Sequence, residues 1–118
     1  MIVFVCSAYR SPTPAGRDEN VRRALAVCRA LSLEGHVPVA PHAFNTRFLD
    51  DDVPEEREIG LRQSAAMVAL ADEVRVYGEP TEGMRREIAE AERLGIPVVA
   101  GAADAGARSC ARTEQPTA

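Results

Sequence analysis

Four short apolar runs punctuate the chain, at Met1–Cys6, His36–Ala40, Glu73–Tyr77 and Ile96–Ala100. Between them apolar positions recur at the three-and-four spacing of helices. MIVFVC is continuous and β-branched, the mark of a strand buried on both faces at the centre of a parallel sheet. HVPVA contains Pro38, which cannot donate a ladder hydrogen bond, so this strand belongs at an edge. EVRVY alternates polar and apolar residues. Three helical stripes are predicted. Val21, Ala24, Leu25, Cys28 and Leu31 mark a helix over Glu19–Leu33, capped by Asp18, Glu19 or Asn20 and stopped by Gly35. Ile59, Ala66 or Met67, and Leu70 mark a second over Glu56–Ala71, and Met84, Ile88, Ala91 and Leu94 or Gly95 mark a third from Glu82. Two loops stand out: the turn-rich SAYRSPTPAGRDEN after the first strand, and Pro41–Glu55, which carries three aspartates in a row and two exposed phenylalanines. A loop of the second length tends to be functional or mobile.

Strands alternating with helices predict an α/β fold, a flavodoxin/Rossmann-like three-layer sandwich with right-handed crossovers. The expected sheet has about four parallel strands in the order 2-1-3-4, with helices on both faces. In that order strands 1 and 3 lie side by side at the switch point. The ligand crevice should then open between the loop after Cys6 and the loop after Tyr77. Residues 1–101 form the expected domain. The stretch 102–118 lacks periodicity and apolar mass and is expected to be a disordered tail.

One residue breaks the pattern of the third helix. Glu87 lies on its apolar stripe, three after Met84 and four before Ala91. A carboxylate there is costly to bury unless partnered, and it stands about one turn into a helix that follows a strand, over the carboxyl edge of the sheet. It is either salt-bridged to an arginine of a neighbouring loop or part of a ligand site.

Composition narrows the rest. The 118 residues suffice for one domain, and 46% apolar content is that of a soluble globule. A net charge of −4 argues against a nucleic-acid polymer as the main partner. No apolar run reaches membrane-spanning length and no signal peptide precedes the first strand, so no membrane partner and a cytoplasmic location are expected. All fourteen basic residues are arginine, so a single arginine is weak evidence for phosphate binding in this chain. Cys6, Cys28 and Cys110 show no paired spacing; the first two read as small core residues and the third lies in the polar tail. The two histidines give no metal-ligand spacing, and no metal or cofactor is expected.

The segments VFVCSAYR, ENVRRAL, GHVPVAPH, FLDDDVPEEREIGL and ADEVRVYGEPTEGMRREIAEAERLGIPV together resemble the nucleoside 2-deoxyribosyltransferase-like superfamily, in a small branch labelled only as a domain of unknown function. The resemblance spans roughly Ile2–Val99. It implies cleavage or exchange of the N-glycosidic bond of a nucleoside or nucleoside 5′-monophosphate. Thr81, Gly83 and Glu87 match the family pattern of a small hydroxyl residue, a glycine and the nucleophilic glutamate. Ser7, Tyr9 and Arg10 match its polar and aromatic loop after strand 1. Asp72 is near an acidic position of the transferases but is expected at the opposite end of its strand.

The implied chemistry passes through an oxocarbenium-like state at C1′. Glu87 would attack or stabilise that carbon, with Tyr9 a candidate proton donor to the leaving base. Ser7, Arg10, His42, Thr81, Gly83 and Met84 are the expected substrate-binding residues. Blander roles stand beside these: Tyr9 packing on its loop, Arg10 pairing with Asp50-Asp51-Asp52, Thr81 serving as a helix cap, His42 being an incidental loop residue. The Ser-Pro-Thr-Pro segment after Arg10 replaces the expected glycine-containing phosphate loop and removes N–H donors, which weakens a monophosphate reading. The alternative function is a non-catalytic module that senses or sequesters a nucleotide. Faces rich in Ala65, Ala66, Met67 and Ala69 lead us to expect a homodimer or higher homo-oligomer.

Overall fold

The computed structural model describes residues 1–102. The tail expected from 102 onward, and Cys110 with it, lies outside the described residues apart from Ala102. The elements run β1 (Ile2–Cys6), α1 (Pro14–Leu33), β2 (Val37–Val39), α2 (Pro41–Asn45), α3 (Pro54–Val68), β3 (Glu73–Val76), α4 (Glu82–Leu94) and β4 (Val98–Ala100). All strand pairs are parallel, in the order β2-β1-β3-β4. This is the α/β fold and strand order that the hydrophobic pattern predicts.

The layers follow from the pleat of β1. Phe4 and Cys6 point to one face and pack with Val68, Ala71, Val74, Met84 and Ala91, under α3 and α4. Val3 and Val5 point to the other and pack with Val27 and Leu31 of α1. These four side chains of β1 are fully buried, and Ile2 is half-buried. Burying one Val or Phe contributes about 1.5–3 kcal/mol, so this strand anchors both layers at once. Register sets Val3 opposite Glu73 and Cys6 opposite Val76, which brings the carboxyl ends of β1 and β3 level.

The edge assignment of β2 has a clear reason. Val37 N–H donates to Met1 O at 3.0 Å, so the alternate position, Pro38, faces outward, where its missing donor costs no ladder bond. At the amino edge, the Asp72 carboxylate accepts from Ile2 N–H at 2.7 Å, at the end of the sheet opposite the crevice.

Three local expectations are corrected. Helix α1 begins at Pro14, five residues before the expected Glu19. Its cap is Thr13, whose hydroxyl accepts from Gly16 N–H at 3.0 Å, while Pro14 brings a φ already suited to the first turn. The Pro-Thr-Pro read as loop is therefore a helix start, and Asn20 instead donates to Tyr9 O at 2.9 Å. The second expected loop contains α2, which Pro41 opens. Phe44 and Phe48 flank its end as an exposed edge-to-face pair, centroids 5.1 Å apart.

The third correction concerns the face of α3. Its expected apolar marks Ile59, Ala66 and Leu70 turn to solvent, whereas Ser64 and Val68 are buried and Leu61 and Met67 half-buried. One helix carries two stripes, and the monomer buries the one interrupted by serine.

Candidate active site

A cleft of about 170 Å³ opens over the carboxyl edge of the sheet, walled by the loop after β1, by α2 and α3, and by the start of α4. The crevice expected between the β1 and β3 loops is there, and it extends further than expected, to α2 and α3. Every sequence-predicted site residue lines it: Ser7, Tyr9, Arg10, His42, Thr81, Gly83, Met84 and Glu87.

Glu87 forms part of its interior and is 6% exposed. The sequence puts it there because Met84 and Ala91, on the same stripe, are drawn into the core. Burial pushes its carboxyl up to about 7, partly opposed by a hydrogen bond with the Cys6 thiol. Burial, and then the nearby Glu87 charge, push the Cys6 thiol far up in turn, so it stays neutral. It also donates to Met84 O at 3.7 Å. No arginine pairs with Glu87 in any described ion pair.

Helix α4 is aimed by its cap. The Thr81 hydroxyl accepts from Met84 N–H at 3.3 Å, and Thr81 N–H donates to the Met84 sulfur at 3.4 Å. Thr81 is thus an N-cap as well as a lining residue. At Gly83 a Cβ would stand 3.3 Å from a Leu61 methyl, so the glycine allows α3 and α4 to approach at the cleft rim.

His42 enters from the first turn of α2, 8% exposed. Its Nε2 lies 3.0 Å from Ser7 Oγ, and its Nδ1 is buried without a partner. Burial lowers it to about 4, so it is neutral at physiological pH. Helix α2 and the Ser7 contact hold it in place, so it is a buried helix residue and not the loop residue expected.

The aspartate run organises the mouth. Asp51 takes Arg10 at 3.1 Å and Arg57 at 3.8 Å, both on Oδ2. Asp52 holds Arg17 at 2.8 Å, and Asp50 N–H donates to Glu56 at 2.8 Å. Arg10 is therefore committed to the aspartate run.

Sequence reasoning missed Asn45, Ser64, Asp51 and Arg57. Asn45 is 5% and Ser64 4% exposed, both on the cleft wall. Asn45 donates one amide hydrogen to Gly60 O at 3.3 Å. Ser64 could have been found by the signal that exposed Glu87, a polar residue on a buried stripe, here between Leu61 and Val68.

The family model described as "Domain of unknown function (DUF7768)" matches residues 1–100. The chain belongs to that family. No curated protein matches this DUF7768 chain in sequence. Among solved structures, a 2-deoxyribosyltransferase from the psychrotolerant bacterium Bacillus psychrosaccharolyticus shares the fold, with a TM-score of 0.63 and 16% identity. The likeness covers 84% of this DUF7768 chain and 71% of that one, and it is a likeness of fold. No described helix is long and apolar enough to cross a membrane.

Proposed function

We propose that this chain cleaves or exchanges the N-glycosidic bond of a nucleoside or nucleotide, with Glu87 as the nucleophile. The supporting observation is one carboxyl, buried and pushed up to about 7, inside the cleft at the carboxyl edge of the sheet. Nucleosides are also what the deoxyribosyltransferase of like fold serves to synthesise. The ionised Glu87 oxygen attacks C1′ as the C1′–N bond breaks, and the base leaves with the electron pair. Water or a second base then displaces the carboxylate. Ser7 and His42 would meet the sugar hydroxyls, Thr81, Gly83 and Met84 would support it from α4, and Tyr9 stands at the mouth beside the leaving base.

Among substrates, a nucleoside without phosphate is favoured over the 5′-monophosphate. A phosphate would have to draw Arg10 away from Asp51, and Ser-Pro-Thr-Pro offers few N–H groups to replace a phosphate loop. Incubation with a panel of nucleosides and 5′-monophosphates, followed by chromatography, is expected to show free base. Tight binding across the panel with no base released would make the protein a nucleotide-binding module instead.

The cleft is smaller than the roughly 300–1,000 Å³ that encloses a drug-sized ligand, so part of the substrate lies open at the mouth. We place a second protomer on the solvent-facing stripe of Ile59, Ala66 and Leu70. Light scattering at micromolar concentration is expected to give a dimer, and Leu70→Glu a monomer. A monomeric parent chain removes the assignment. A cytoplasmic location suits a substrate of this class.

A further inference from the structure

The charge lining the cleft bears on what kind of base can leave. Four carboxylates, Asp51, Glu56, Glu82 and Glu87, face two guanidiniums, Arg10 and Arg57. Both guanidiniums turn to the same Asp51 oxygen, and Glu56 is engaged only by a backbone N–H, that of Asp50. Glu82 stands exposed in the first turn of α4. His42 adds no positive charge, being neutral down to about pH 4 with Nδ1 unpartnered. The cleft is therefore acidic, and with no imidazolium among its described residues the proton donor left for a leaving base is the phenol of Tyr9, a weak acid. Of the hydroxyls, Ser7 is engaged with His42, and Thr81 accepts from Met84 N–H.

From this juxtaposition we infer that the favoured substrates carry a positively charged heteroaromatic ring on C1′, such as a pyridinium or an N-alkylated purine ribonucleoside. The inference rests on the N-glycosyl reading of Glu87. Such a ring leaves without a proton: the C1′–N bond breaks, its electron pair returns to the ring nitrogen, and a neutral heterocycle departs. Glu87 forms the C1′–O bond in the same step. Water then replaces the carboxylate and one proton is released to solvent, so atoms and charge balance. Buried surroundings favour this route, because a carboxylate and a cation become an ester and a neutral base. A neutral nucleoside would instead expel an anion into a cleft already rich in carboxylates.

The test compares matched pairs, N7-methylguanosine with guanosine and a 1-ribosylpyridinium salt with a neutral pyrimidine nucleoside. Free base is read by chromatography, and each kcat/KM is divided by the uncatalysed rate of the same compound. The charged member is expected to lead by at least about 100-fold, the lower end of what general-acid assistance contributes, which a neutral substrate needs and a cationic one does not. The double variant Glu56→Gln/Glu82→Gln is expected to cut that lead about tenfold, as two charges near the mouth would. Equal normalised rates, or a lead unchanged in the double variant, would overturn the inference while leaving the N-glycosyl reading in place. Base release from neither member of either pair would overturn both.

Discussion

Glu87→Ala is expected to lower kcat/KM for base release by at least about 10³-fold, the scale on which removal of a nucleophile is felt. Glu90→Ala, one turn away and paired with Arg93 on the surface, should leave the rate within about twofold. The comparison isolates position from charge, since both are glutamates of α4. The pH profile carries a second signature. Glu87 must be ionised to attack, and its carboxyl titrates near 7. Wild-type kcat/KM should therefore rise about tenfold per pH unit below that value and level off above it. A profile flat from pH 5 to 8, or full activity in Glu87→Ala, would refute the nucleophile assignment.

The second large effect is on stability. Lifting the Glu87 carboxyl from 4.5 to about 7 means that the folded state holds its proton where the unfolded chain has released it. At about 1.4 kcal/mol per pH unit this amounts to about 3 kcal/mol. The sign is fixed by the direction: the favourable contribution is complete below about pH 4.5 and disappears as pH rises through about 7. Glu87→Gln keeps the shape and cannot ionise. It should therefore be more stable than wild type at pH 8 by about that amount, and nearly equal to it at pH 4. Denaturant unfolding at the two pH values measures the difference. Equal wild-type and Glu87→Gln stabilities at pH 8 would mean that the carboxylate reaches water in the folded protein.

The layers of the fold were legible because β1 and α4 obey one rule each. MIVFVC has no polar position to turn outward, so it has to sit between two layers. The stripe Met84–Glu87–Ala91 has one polar residue, so that residue has to be somewhere special. Helix α3 was misread because two stripes compete on it, and periodicity alone does not weigh Ser64 with Val68 against Ile59 with Leu70. What decides is the match to β1 and α4 across the interface, a long-range property. The start of α1 was misplaced for a local reason: two prolines in four residues suggest a loop, whereas Pro14 directly after a threonine is a helix entrance. Asn45 entered the site only because α2 folds inside what looked like open chain.

The two margins of the sheet are unequal. Pro38 leaves the outer side of β2 without a donor, while in β4 the inward bond from Gly101 N–H to Val76 O turns the Val98 and Ala100 N–H groups outward. Among the described residues, growth by strand addition then has one receptive side only. A filament requires each copy both to offer and to accept an edge, so stacking through this sheet would close after a single back-to-back pairing. The proline acts as a stop signal against fibre formation, at the margin farthest from β4.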